Sequence, residues 1–316
     1  MAVVYSRAQI ERVIEAAEVI AVVERAFAAY SNGEAVVPAV GQLDFDDPPG
    51  DCHIKYGYLK QGRTFTVKIA SGFWKNPERG LPSSNGVVLL FSSQTGELLT
   101  IFQDEGYLTD MRTAAAGAVA AKYLAPKRVG CIGILGSGLQ AKLQLEYLRE
   151  VTPCRRVALW ARSPERARAL DVPGFDISLA GSPAEVAAQA DLIVTTTAAR
   201  GWLLGAADVR PGTHITAMGA DGGGKQELDP KLFEIAAVRA VDSLSQCSGF
   251  GDASFALQQG LIRPGDLVEL GQVIQDPALR RRSESDITIA DLTGVAVQDM
   301  AIAELAQKKL EARGPA

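Results

Sequence analysis

The chain has 316 residues, 32 basic against 37 acidic, for a formal net charge of −5. That length exceeds one ordinary core, so two domains are expected. The balanced charge has no long run of either sign, which argues against a nucleic-acid or anionic-membrane surface. No apolar run approaches the roughly 20 residues a membrane span needs. MAVVYSRAQIERVIE at the N-terminus lacks the apolar core of a signal peptide. Cys52, Cys131, Cys154 and Cys247 form neither a CxxC pair nor a disulfide framework, so a reduced, cytoplasmic enzyme is expected. His53 and His214 are the only histidines, too few for a histidine-rich zinc site, and no metal is expected.

In chain order, Ser6 with Gln9 reads as a capping box. Ile10, Val13, Ile14, Ala17 and Ile20 then predict one helical face, ended by Asn32-Gly33. From Val36 to Phe102 the period changes to two. FTVKIASGF and GVVLLF predict strands, SQTG before ELLTIF predicts a hairpin, and Gly80-Leu81-Pro82 opens a loop. Asp110 is expected to cap a helix, MRTAAAGAVAAKYLA, stopped by Pro126.

Next comes RVGCIGILGSGLQAKLQLEYLR: an apolar run, a glycine turn and a segment of helical periodicity. Gly136 permits the turn, Gly138 lets backbone approach a ligand, and Ala141 is small enough for helix and strand to pack. The N–H groups opening the helix favour a pyrophosphate. Beyond it, RVALWA, DLIVTTT, HITAMG and RAVDS predict strands. Helices are expected from Ser163-Pro164-Glu165, from Ser182-Pro183 and over 229–237. This alternation implies a parallel sheet covered on both faces. The last helix is expected over 295–313.

Several residues carry chemistry. Lys68 lies mid-strand in an apolar setting and is either outward-facing or a buried cation with an anionic partner. Arg112 is either a helix-surface charge or a fork for a carboxylate. Asp221, in MGADGGGK just beyond a predicted parallel strand, stands where such sheets bind ligands. GADGGGK also fits a phosphate-loop pattern, but Gln226 replaces the serine or threonine that would hold magnesium, so that reading fails. At the end of the second strand the chain reads Trp160-Ala161-Arg162-Ser163, with no acid for a ribose 2′-hydroxyl. NADP(H) is therefore expected over NAD(H).

Together, FTVKIASGF, LPSSNG, GYLTDMRTAAAGAVAAKYLA, GILGSGLQA, PGTHITAMGADGGGKQELDP and TGVAVQDMA resemble the ornithine cyclodeaminase/μ-crystallin family over nearly the whole chain. The closest similarity is to its ectoine-utilisation cyclodeaminase-like and ketimine reductase/alanine dehydrogenase-like members. The resemblance implies an α/β fold in which a Rossmann NAD(P)-binding domain spans 126–291. A second, α+β domain for substrate binding and dimerisation would comprise 1–125 with 292–316. A homodimer acting on a small amino or imino acid follows, with no nucleic acid or membrane partner.

The resemblance assigns Asp221 and Lys68 to catalysis, and Arg112, Lys68, Lys55, Gln42 and Asn85 to the substrate. The cofactor residues it implies are Gly136, Ser137, Gly138, Leu139, Gln140, Ala161, Arg162, Ser163, Thr195, Thr196, Thr197, Met218, Gly219, Thr293 and Gly294. Two departures bear on the substrate. The arginine that family members often carry after Pro38 is absent, with Gln42 the nearest replacement. Lys55 stands where the ornithine cyclodeaminases carry a glutamate. The expected activity is an NAD(P)H-dependent imine reductase or amino-acid dehydrogenase. The alternatives are a cyclodeaminase releasing ammonia and a non-catalytic ligand-binding protein.

Overall fold

In the computed structural model, which describes residues 2–313, the chain divides into two compact units, Met1–Thr113 with Val295–Ala316 and Ala114–Gly294. The first unit holds β1 (Val3–Ser6), α1 (Arg7–Glu11), α2 (Ala16–Ser31), β2 (Ala35–Val36), β3 (Gly41–Asp46), β4 (Pro49–Leu59), β5 (Thr64–Phe73), β6 (Ser84–Ser92) and β7 (Leu98–Gln103). They form one sheet in the order β1-β7-β6-β5-β4-β2, with β3 also pairing β4; every pairing but β1–β7 is antiparallel. Side chains alternate between the faces. Thr66, Lys68, Val88, Leu90, Thr100 and Phe102 are all buried, which places Lys68 inward.

A helix, α3 (Tyr107–Leu124), passes from the first unit into the second. The second unit then holds β8 (Ile132–Leu135), α4 (Leu139–Leu148), β9 (Arg156–Trp160), α5 (Pro164–Ala169), β10 (Asp176–Leu179), α6 (Pro183–Gln189), β11 (Leu192–Thr195) and β12 (Arg200–Leu204). It continues with β13 (His214–Ala217), β14 (Gln226–Leu228), α7 (Pro230–Ile235), β15 (Val238–Val241), α8 (Leu244–Cys247), α9 (Asp252–Gln258), β16 (Val268–Glu269), α10 (Leu270–Gln275) and β17 (Thr288–Asp291). Eight strands make a parallel sheet, β10-β9-β8-β11-β13-β17-β15-β16. From β8 the chain adds β9 and β10 on one side and then crosses to β11 on the other, so the turn after β8 lies at the switch point where such sheets bind ligands. β8, β11, β13 and β17 are buried at every residue, as expected of strands covered on both faces. This is a Rossmann-like architecture. The final helix, α11 (Ala296–Ala312), returns to the first unit and packs on α2, β4 and β5.

Two expectations are corrected. The first helix is two helices: α1 ends at Glu11, and Glu15 in an extended conformation starts α2. Ile10 and Val13 are buried but Ala17 is exposed, because the turn at 12–15 rotates the face that the periodicity seemed to continue. Asp110 does not cap α3. Asp104 does, its Oδ2 accepting the Leu108 N–H at 2.8 Å, so the helix begins at Tyr107 and Asp110 lies inside its first turn. Arg112 is thereby in the second turn.

Candidate active site

The glycine turn after β8 has the stereochemistry its sequence demands. Gly136 has φ +126°, and a Cβ there would stand 2.5 Å from Thr196 Oγ1. Both facts require glycine. Gly138 differs: it precedes α4 in ordinary extended backbone, and a Cβ there would meet no protein atom within 4 Å. Neither strain nor packing calls for glycine at 138, and the open space over it could admit a pyrophosphate. Leu139 is 53% exposed at the first position of α4, with Gln140 half-buried beside it, and Ala141 is fully buried. Ser137 and the opening turn of α4 complete a cradle that could hold a dinucleotide.

At the end of β9, Arg162 is exposed, as a 2′-phosphate contact requires. Ala161 is half-buried. The Ser163 hydroxyl is already engaged: it accepts the Arg166 N–H at 3.3 Å as the cap of α5 and donates to Glu165 at 3.0 Å. Arg162 is the exposed cation that this corner offers.

Further along the carboxyl edge, Thr195, Thr196 and Thr197 leave β11, and Met218, Gly219 and Asp221 leave the adjacent β13. Thr196 Oγ1 donates to Leu135 O at 3.3 Å, beside the glycine turn. Asp221 is half-exposed and its Oδ1 accepts Lys225 Nζ at 2.6 Å. Thr293 and Gly294 are fixed by Asp242, which accepts the Thr293 hydroxyl at 3.0 Å and the Gly294 N–H at 2.6 Å. Nothing in the sequence singled out Asp242, or Glu227, whose buried carboxylate ties the two turns together.

In the first unit, three predicted residues come together with one that the sequence did not reveal. Lys55 and Lys68 are direct cross-strand neighbours on β4 and β5. Lys68 Nζ lies 3.1 Å from Asp299 Oδ1, and Arg112 Nε donates to the same oxygen at 2.9 Å. Arg112 also donates to Gln298 Oε1 at 3.0 Å. Lys55, Lys68, Arg112 and Asp299 are all buried. Burial opposes ionisation of Asp299, but Arg112, Lys68 and Lys55 hold its carboxyl below the usual range. Burial, then Arg112 and Lys55, pull the Lys68 ammonium down to about 7, against the opposing pull of Asp299. Burial is the main cause for the ammonium, and the neighbouring cations lower both groups further.

Gln42 shares the Lys55–Lys68 face one row along, opposite His53, but is exposed and bonded to Asp44. Asn85 pairs with Ser71, on the alternate parity from Lys68, and its Oδ1 accepts the Gly86 N–H. It lines a cleft with Ser6, Arg7 and Glu11 instead. Among the described residues no group of histidine, cysteine and acids could hold a metal, and no helix is long and apolar enough to cross a membrane.

The chain matches the model of the ornithine cyclodeaminase/mu-crystallin family over residues 1–314. It is 44% identical over 297 residues to an uncharacterised cyclodeaminase of Sinorhizobium fredii, covering 92% of this chain and 90% of that one. Among solved structures, it resembles the Δ1-pyrroline-2-carboxylate reductase of Thermococcus litoralis in complex with NADH and L-proline. The TM-score is 0.92 at 30% identity, covering 99% of this chain and 98% of the other. An archaeal alanine dehydrogenase dimer with bound NAD matches at TM-score 0.91 and 33% identity, covering 99% and 97%.

Proposed function

The chain belongs to the ornithine cyclodeaminase/mu-crystallin family, and from that premise we propose that it is a nicotinamide-dependent imine reductase or amino-acid dehydrogenase. The observation that carries this reading is the buried excess of cations around Asp299. A substrate carboxylate is attracted by three buried cations on adjoining elements, so Lys55, Lys68 and Arg112 bind and orient an amino or imino acid. A bound nicotinamide accepts or supplies the hydride at its Cα. Asp221 manages the proton on the nitrogen: it stabilises the protonated imine in reduction and takes the ammonium proton in oxidation. The Lys225 ammonium lies 2.6 Å from its Oδ1. Gly136, Ser137, Gly138 and the start of α4 hold the pyrophosphate. Arg162, exposed at the end of β9, selects NADP(H) over NAD(H).

The domain boundaries are proposed at 125/126 and 291/292, with the second unit binding the cofactor and the first the substrate. A homodimer accords with the archaeal alanine dehydrogenase, which is a dimer. Four free cysteines suit the reducing cytoplasm. The cyclodeaminase reading is weaker on one count. A diamino acid brings a second ammonium, and Lys55 beside Lys68 presents it with repulsion.

Steady-state kinetics of two variants test the assignment. Asp221→Asn keeps the shape but not the proton acceptor, and should lower kcat by roughly 10²–10⁴. Arg112→Lys should act chiefly on KM, because an ammonium cannot reproduce the guanidinium's paired contacts. An Asp221→Asn enzyme with most of its turnover would move the proton to Lys55 or Lys68.

A further inference from the structure

One carboxylate joins the turn after β11 to the turn after β13. Glu227, in the middle of β14, is fully buried, and its two oxygens accept four hydrogen bonds. Oε1 takes the Thr197 N–H at 2.6 Å and the Thr197 hydroxyl at 2.7 Å. Oε2 takes the Thr195 hydroxyl at 2.6 Å and the Gly219 N–H at 2.7 Å. Two donors on each oxygen saturate an ionised carboxylate. These partners are hydroxyls and N–H groups rather than a cation, so the charge is buried for what it holds in place.

The backbones approach as closely as the side chains. The Met218 N–H donates to Thr195 O at 3.1 Å. A Cβ on Gly219 would lie 2.0 Å from Thr197 O and 2.6 Å from Glu227 Cδ, so glycine is obligatory. Behind the junction, Asp252 Oδ1 accepts the N–H groups of Glu227 and Leu228, both at 2.8 Å. Burial and the charges of Asp291 and Glu227 push Asp252 well above the usual carboxylate range. Burial raises the Glu227 carboxyl too, with its four hydrogen bonds working against that rise.

We infer that Glu227 is a positioning residue: by fixing Gly219 to Thr195 and Thr197, it sets where Asp221, two residues further on, presents its carboxylate. This rests on Asp221 managing the proton of the reaction. Glu227→Gln isolates the effect. The amide keeps the shape but offers one acceptor oxygen and an NH₂ group. A threonine hydroxyl can turn to accept from that NH₂; a backbone N–H cannot. Whichever way the amide lies, the Thr197 or the Gly219 N–H loses its acceptor, and the turns separate.

The test measures kcat, KM for the imine and NADPH affinity in full-length Glu227→Gln, beside Asp221→Asn. A displaced Asp221 predicts a kcat loss on the order of 10²-fold with KM within about twofold, since misplacement by an ångström acts on chemistry rather than on carboxylate binding. Unchanged kcat in Glu227→Gln, with Asp221→Asn inactive, overturns the positioning role and leaves Asp221 standing. A kcat loss in Glu227→Gln while Asp221→Asn stays active overturns both, because Glu227 would then act through something else. A kcat loss matched by an equal rise in KM marks general disorder and overturns the proposal. If Glu227→Gln does not fold, Thr195→Val decides. It removes one donor from the oxygen that holds Gly219, and should lower kcat by about three- to tenfold with KM unchanged; wild-type kcat overturns the role.

Discussion

Lys68 and Asp299, from the middle of β5 and the first turn of α11, meet at 3.1 Å with both side chains only 2% exposed. The same Asp299 oxygen takes Arg112 at 2.9 Å. Asp299 is therefore a carboxylate shared by two buried cations, with the buried Asp104 also acting on Lys68. Asp299→Asn should destabilise the protein by about 3–5 kcal/mol, the usual result of removing one partner of a buried pair. Urea unfolding measures it. A loss below about 1 kcal/mol would show that the cations are stabilised without Asp299.

Lys68 also sets a pH dependence. Burial and its cationic neighbours lower its ammonium to about 7, so it is charged below that pH and neutral above it. A bound carboxylate favours the charged form. Affinity for a 2-oxo acid without an amine should thus fall as pH rises through 7, by up to about tenfold per unit. Lys68→Arg stays charged and should flatten the profile. A wild-type binding constant unchanged from pH 6 to 9 would refute the role given to Lys68.

How much of this was legible depended on how local each signal was. Gly136 and Gly138 were readable because strand, turn and helix lie within one short stretch, and the parallel strands followed from their apolar runs. Lys68 was ambiguous from sequence because its direction depends on which face of β5 the core takes. Its partner was hidden for a different reason. Asp299 is 187 residues from Arg112 and sits among the apolar residues of the final helix, where no local pattern marks it as a partner. Glu227 was masked by the resemblance of GADGGGK to a phosphate loop, which drew attention to the glycines rather than to the acid after them. The break in the first helix went unseen because Ile10, Val13, Ile14 and Ala17 keep helical spacing across the turn.

The cofactor assignments separate into two variants. Gly138→Val places a branched side chain in space that no protein atom approaches within 4 Å, so the fold should survive and dinucleotide binding should collapse. Arg162→Ala removes a charge-assisted contact of roughly 1.5–3 kcal/mol, and should weaken NADPH by more than about tenfold while sparing NADH. Fluorescence titration of both nucleotides reads the outcome. Equal NADPH and NADH affinities in the unmodified protein would contradict the role of Arg162.

The second unit carries a buried pH-sensitive group of its own. His214 is fully buried, with Nδ1 2.9 Å from Thr288 Oγ1 and Nε2 3.0 Å from Thr216 Oγ1. Burial, then the Arg281 cation, pull its imidazole down to about 3. The unfolded chain takes up this proton near pH 6.5 and the folded one does not, so His214 makes stability fall as pH drops from about 6.5 to about 3. The slope is about 1.4 kcal/mol per pH unit. Asp291 opposes it: burial raises its carboxyl to about 7, so its protonation favours the fold in the same range. The difference between wild type and His214→Gln cancels that opposing contribution and should show the slope. A difference independent of pH would mean that His214 is protonated in the fold.

The central claim is net hydride transfer to the Cα of an imino acid, and the consumption of nicotinamide tests it most directly. Purified protein is mixed with NADPH and a panel of cyclic imines, or of 2-oxo acids with ammonia or methylamine, and absorbance is followed to completion. The account predicts that one NADPH disappears for each amino acid formed, and that Arg112→Lys needs more substrate for the same rate. Ammonia released from a diamino acid with only catalytic cofactor, and no net loss of NADPH with any imine, would contradict it.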